Sequence, residues 1–201
     1  MTPRRYGGRT TPLGLLIACL ASAGGLACYY PGPVKHMREV ANVDTTPGAD
    51  EAVVVFVRPT GAAPGVQWSV FEVEEKRPAS LVGILGAMKK VAYRTWPGRH
   101  LFMCIGPTPD FVTANLEAGK LYYVLMMPNM GDFVLQPVRG AEHEQLRTRL
   151  SQTGWVETTD DSLKWAHDNR EDIEAKRFKF YGIWRRRPSF ERLALYPDDG
   201  R

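Results

Sequence analysis

Cysteine is scarce in this 201-residue chain, which has only Cys19, Cys28 and Cys104. No run of about 18 uninterrupted apolar residues occurs, which argues against an internal membrane-spanning helix. A G-x-S-x-G elbow, a phosphate-binding glycine loop and a dinucleotide fingerprint are all missing, as are repeats and low-complexity tracts. Negative charge is missing from the N-terminus, where Arg4, Arg5 and Arg9 are the only charges before Lys35. The rest of the composition, 44% hydrophobic and 24% charged, is that of a globular protein, and excludes wholesale disorder. At roughly 100–200 residues per domain, the length allows one domain, or one with appendages.

The N-terminus carries a three-part pattern. Three arginines precede the apolar stretch Leu13–Ala21, and the small residues Ser22 to Gly25 follow it, as in a secretory signal peptide. A buried N-terminal helix fits poorly, because no polar face interrupts the run and three glycines sit in or just after it. Gly25-Leu26-Ala27-Cys28 resembles a bacterial lipobox, in which a diacylglycerol is attached to the cysteine before cleavage in front of it. Gly25 departs from the leucine usual at its place. Cys19, after Leu16-Ile17-Ala18, is a rival with an apolar region of only about six residues, too short for a signal. Ala21-Ser22-Ala23 is an A-x-A site, and cutting there releases a soluble product that starts at Gly24. Position and residue together favour a signal peptide over residues 1–27 with lipid on Cys28. Cys104 is then the one cysteine of the domain, no internal disulfide forms, and a domain of about 170 residues buries enough core without one. Removing residues 1–27 takes three of the 26 basic residues and none of the 22 acidic ones, leaving 23 against 22. The mature chain has no charge surplus that would point to nucleic acid.

Residues 28–50, with three prolines and little periodicity, read as a lipid anchor and flexible tether. Residues 51–138 read as β-structure. The β-branched run Ala52–Val57 suits a buried strand, and further strands are expected around Trp68–Val73, Leu81–Leu85, Lys90–Trp96, His100–Ile105, Phe111–Leu116, Leu121–Met127 and Asp132–Pro137. That spacing predicts a mainly β fold, an antiparallel β-sandwich of about seven strands. Residues 139–201 read as a helical C-terminal extension, with a short helix over Glu142–Leu150 and a long one over Ser162–Arg187 stopped by Pro188.

Val55-Phe56-Val57-Arg58-Pro59, Trp96-Pro97-Gly98-Arg99-His100 and Leu116-Glu117-Ala118-Gly119-Lys120-Leu121-Tyr122-Tyr123-Val124 carry a family resemblance. In them, residues 52–138 resemble the bacterial lipoprotein family called domain of unknown function 2846, and their order looks like small β-sandwiches of the PEGA type. The resemblance implies a fold and an envelope location, outer membrane because Tyr29 follows the lipid site, but no reaction and no catalytic residues. Physically, Gly98 and Gly119 are expected to supply positive φ at hairpin turns, with Pro97 presetting the first.

Candidate chemistry is sparse. His100 and Cys104 fall on one face of a strand, but about 13 Å apart, too far for a nucleophile and its base, so Cys104 reads as a buried structural thiol. His143-Glu144 lacks the second histidine of H-E-x-x-H, and His167 with Glu171 at i,i+4 has no third ligand, so no metal and no cofactor are expected. Ser69, Ser80, Ser151, Ser162 and Ser189 have no local His or Asp partner. Tyr122 and Tyr123 should put one ring on each face of their strand, one in the core and the other open to exposure. Trp184, Arg185, Arg186 and Arg187 give the long helix an aromatic and basic end, either packed on the sandwich or in contact with anionic lipid or a partner. The expected function is that of an exported, membrane-anchored lipoprotein with a non-catalytic binding or envelope-structural role. The alternative is a soluble periplasmic hydrolase whose catalytic partners are distant in sequence.

Overall fold

The computed structural model describes residues 35–129 and 132–201, so the signal peptide and Cys28 lie outside the described residues. The strands are β1 Met37–Val40, β2 Ala52–Arg58, β3 Trp68–Glu72, β4 Ser80–Leu85, β5 Lys89–Thr95, β6 Gly98–Ile105, β7 Asp110–Leu116, β8 Lys120–Asn129, β9 Asp132–Pro137, β10 Gly154–Thr158 and β11 Ala194–Leu195. The helices are α1 Glu142–Ser151, α2 Asp160–Asp168 and α3 Arg170–Arg185. Two sheets result, one six-stranded in the order β1-β10-β5-β2-β8-β9 and one five-stranded in the order β11-β7-β6-β3-β4. The molecule is a mainly β sandwich with C-terminal helices.

The core explains why β2 reads as an unbroken β-branched run. Val54 and Phe56 point between the sheets, where they join Val70, Phe102, Val112 and Val124. Val53, Val55 and Val57 point the other way and meet Tyr123, Leu125 and Leu146 of α1. Both faces of the strand are covered, so every residue of β2 is buried. The five-stranded sheet is covered in the same manner: Ile173 and Trp184 of α3 pack on Phe71, Met103 and Phe111. Four layers follow, helix on sheet on sheet on helix.

Several expectations change. The sheets are mixed, with β10–β5, β2–β8 and β11–β7 parallel. The corners explain one of these pairs. Trp96-Pro97-Gly98 and Glu117-Ala118-Gly119 are not hairpin turns, because each carries the chain from one sheet to the other, β5 to β6 and β7 to β8. Gly98 has φ +130° and Gly119 φ +72°, and the Gly119 N–H donates to the Glu51 carbonyl at 2.8 Å. Since the chain crosses over at each corner, β8 returns beside β2 in the same direction. Residues 37–40, within the span read as tether, form β1 and pair with β10, and Lys89 donates to Glu39 at 2.8 Å across them. Strands β10 and β11 lie within the stretch read as a helical C-terminal extension.

The long helix is two. Thr159 and Ser162 form a capping box that starts α2. Asn169 ends it: its backbone sits at ψ 10° and its side-chain amide donates to the Trp165 carbonyl at 2.8 Å, which turns the axis. From α3, Arg177 donates to the carbonyls of Arg77 at 2.9 Å and Glu74 at 2.5 Å, while Glu174 accepts the Ala79 N–H at 2.7 Å. The helix thereby holds the connection between β3 and β4 in place.

Candidate functional site

That connection forms one wall of a groove at the open end of the sandwich. Glu72 closes β3, and His100 lies on β6, where the register pairs Glu72 with Phe102 and alternation puts His100 on the same face as Phe102. Tyr93 comes from β5 in the opposite sheet. The rings of His100 and Tyr93 both lie 6.0 Å from that of Phe102, the first stacked and the second edge-on. Phe102 is thus the floor on which residues from both sheets meet.

The three polar groups form one network. His100 Nδ1 lies 2.5 Å from Glu72 Oε1, and the Tyr93 hydroxyl donates to Glu72 Oε2 at 2.5 Å. His100 Nε2 lies 2.8 Å from the Trp96 carbonyl oxygen, which can only accept. Nε2 therefore carries a hydrogen, and a proton also lies between Nδ1 and the carboxylate. The histidine and glutamate side chains are only 11% and 12% exposed. Burial alone would disfavour the imidazolium, but the hydrogen bond to Glu72, its charge and the Trp96 carbonyl outweigh that, and the His100 pKa is raised. Burial likewise works to raise the Glu72 pKa, yet the hydrogen bonds from His100 and Tyr93 hold it below its ordinary value. Burial, then the bond to Glu72, push the Tyr93 hydroxyl up. The favoured state is a buried ion pair, Glu72 ionised and His100 protonated.

This arrangement does not suit a general base. Ser80 lines the same cavity of about 470 Å³, but neither nitrogen of His100 is free to take a hydroxyl proton. Cys104, on the same face of β6 beyond Phe102, is fully buried in the core between the sheets. The serine and cysteine hydrolase arrangements both lack an available base here. Arg77, Arg99 and Trp96 stand around the cavity, and Trp96 is 75% exposed.

The other residues singled out in the sequence are dispersed. Pro97 and Gly98 form the corner beside this groove, and Gly119 forms the corner between β7 and β8. Trp184 does not face outward: it is buried, its ring 5.8 Å from those of Phe111 and Tyr181. Arg187 pairs with Asp110 at 3.0 Å, and Arg185 and Arg186 remain exposed. Tyr122 is buried in the core between the sheets, its hydroxyl accepting the Glu117 N–H at 2.9 Å. Tyr123 points to the opposite face, but that face is not open as expected for one of the two rings: it is buried beneath α1. His167 and Glu171 fall on separate helices, because the axis breaks at Asn169 between them. No group of three His, Cys, Asp or Glu side chains gathers as a metal site among the described residues.

Two of the buried cations, Arg58 and Lys90, carry no signal in the sequence. The guanidinium of Arg58, fully buried, donates to the carbonyls of Ala62, Ala63 and Val66 at 2.8, 2.9 and 2.5 Å, and lies 4.0 Å over the Trp68 ring. It holds the connection between β2 and β3, and burial pushes its pKa down to about 10. Lys90 donates to the carbonyls of Leu150 at 2.6 Å and Thr153 at 2.5 Å, at the C-terminal end of α1 where positive charge suits the helix dipole. Burial lowers its pKa too.

No protein-family model and no curated protein matches the chain. A solved structure to which it is similar is the NMR structure of a protein from Eubacterium rectale, at 13% identity and a TM-score of 0.31, over 46% of this chain and 92% of that one. That likeness is too slight to bear on fold or function.

Proposed function

We propose that the protein is an exported lipoprotein, anchored by lipid on Cys28 in the outer membrane of a bacterial envelope, whose folded region acts by binding and not by catalysis. The anchor rests on the basic, apolar and small-residue sequence of residues 1–27 and on Gly25-Leu26-Ala27-Cys28. The resemblance to the lipoprotein family of domain of unknown function 2846 agrees with it. The observation that carries the non-catalytic part is the engagement of both His100 nitrogens, by Glu72 and by the Trp96 carbonyl, in the polar network of the groove.

The start of β1 at Met37 sets the geometry of such an anchor. Eight residues lie between Cys28 and Met37, and the nine steps from one to the other, at about 3.3–3.6 Å each, reach at most about 32 Å. A domain tethered so closely stays beside the bilayer, within reach of envelope partners. Fractionation of cells making the protein tests the reading. The native chain should enter the detergent-soluble membrane fraction, and Cys28→Ser should move to the aqueous one. Identical fractionation of both would defeat the anchor.

A further inference from the structure

The network of Glu72, His100 and Tyr93 joins the sheets, but packing leaves two neighbouring side chains unexplained. Trp96 presents most of its indole to solvent from a corner whose backbone is fixed: its carbonyl accepts from His100, and Pro97 and Gly98 follow it. Arg99, also exposed, makes no ion pair among the described residues. The other arginines of the groove are met, Arg94 by Glu51 at 3.0 Å and Arg77 by Glu74 at 3.5 Å. Glu72 is balanced by His100. The groove therefore keeps one uncompensated positive charge, at Arg99.

The lining narrows the class of ligand. Val73 is the only aliphatic residue around a cavity of about 470 Å³, a volume within the range of small-molecule sites but with few of their usual apolar walls. An apolar ligand would gain little there. A polyhydroxylated ring gains an aromatic platform for its C–H face and fixed polar groups for its hydroxyls. The Glu72 carboxylate accepts two bonds from within the protein, and about two of its four lone-pair sites remain. Arg99 suits a carboxylate, which it can grip with two parallel N–H donors.

We propose that this groove binds a carboxylated saccharide, with a sugar ring stacked on Trp96, the carboxylate on Arg99 and a hydroxyl donating to Glu72. The proposal rests on reading the folded region as a binding domain. It does not depend on the lipid anchor, which the fractionation of Cys28→Ser reads separately.

Isothermal titration of the purified protein tests it, with tetragalacturonic acid as the probe and its methyl ester as the uncharged control. Saturable binding of the acid is expected, with the ester at least about tenfold weaker. Trp96→Ala and Arg99→Gln should each weaken the acid at least about tenfold without moving the melting temperature, whereas Arg186→Gln, outside the groove, should bind as the native protein does. Should Trp96→Ala melt early, Arg99→Gln alone decides. No saturable heat at about 10 mM probe, equal affinity for the ester, or native affinity in Arg99→Gln would overturn the proposal.

Discussion

His100 and Glu72 are 28 residues apart in sequence and meet only through the pairing of β3 with β6. Their linkage to folding has a definite sign. His100 is raised above 6.5, so its contribution to stability is complete below 6.5 and is lost as pH rises through the raised value. Glu72 is lowered beneath 4.5, so its contribution is complete above 4.5 and is lost as pH falls through the lowered value. The pair therefore stabilises the fold most between pH 4.5 and 6.5. Urea unfolding across pH should show a fall in stability on the alkaline side of that window, and His100→Gln should abolish that fall. The same substitution leaves Glu72 buried without its cation and should lower stability by about 3 kcal/mol at pH 6. A second residue-scale prediction concerns Arg58. Arg58→Met removes the donors of three carbonyls in the connection between β2 and β3, and should destabilise by about 2 kcal/mol or more in the same measurement.

At the scale of elements, the corners at Gly98 and Gly119 decide which sheet receives the next strand. Nothing lies within 4 Å of a Cβ built on Gly119, so Gly119→Ala tests backbone conformation alone at φ +72°. It should lower the unfolding free energy by about 1–2 kcal/mol, and an unchanged midpoint would mean the corner relaxes freely. Strands β2 to β9 were all legible in the sequence, because β-branched and aromatic runs between Pro and Gly turn signals mark a strand whichever neighbour it pairs with. Pairing itself was not legible. Pro-Gly chemistry looks alike in a hairpin and in a corner between sheets, so β2 beside β8 in parallel could not be read from the turns. Strand β1, the charged tetrapeptide Met37-Arg38-Glu39-Val40, and the two-residue β11 are too short to show a period. The break at Asn169 was hidden because Leu163, Ala166 and Ile173 keep near-helical spacing across it, and only the side-chain bond to Trp165 reveals it. Tyr93 and Glu72 escaped notice as partners of His100 for the same reason as the pairing: no local spacing encodes a contact made across two sheets.

For the whole molecule, the four layers make the stretch 51–138 an incomplete unit. Strand β10 sits between β1 and β5, and α1 and α3 cover the outer faces of the two sheets. A chain ending at Val138 would leave Val55, Val57, Phe71, Met103 and Phe111 open to water. It should be aggregated or lack dispersed amide signals in an NMR spectrum, while the full chain gives a folded one. The groove, the sheets and their helical covers thus form one body, and its anchoring at a membrane through a single cysteine is the central proposal. The intact mass of the protein recovered from membranes tests this central claim most directly. The account predicts a mass equal to residues 28–201 plus a diacylglycerol and an acyl chain, lost in Cys28→Ser. A soluble product beginning at Gly24, with the same mass apart from the substituted atom in Cys28→Ser, would contradict it and reopen the periplasmic hydrolase alternative.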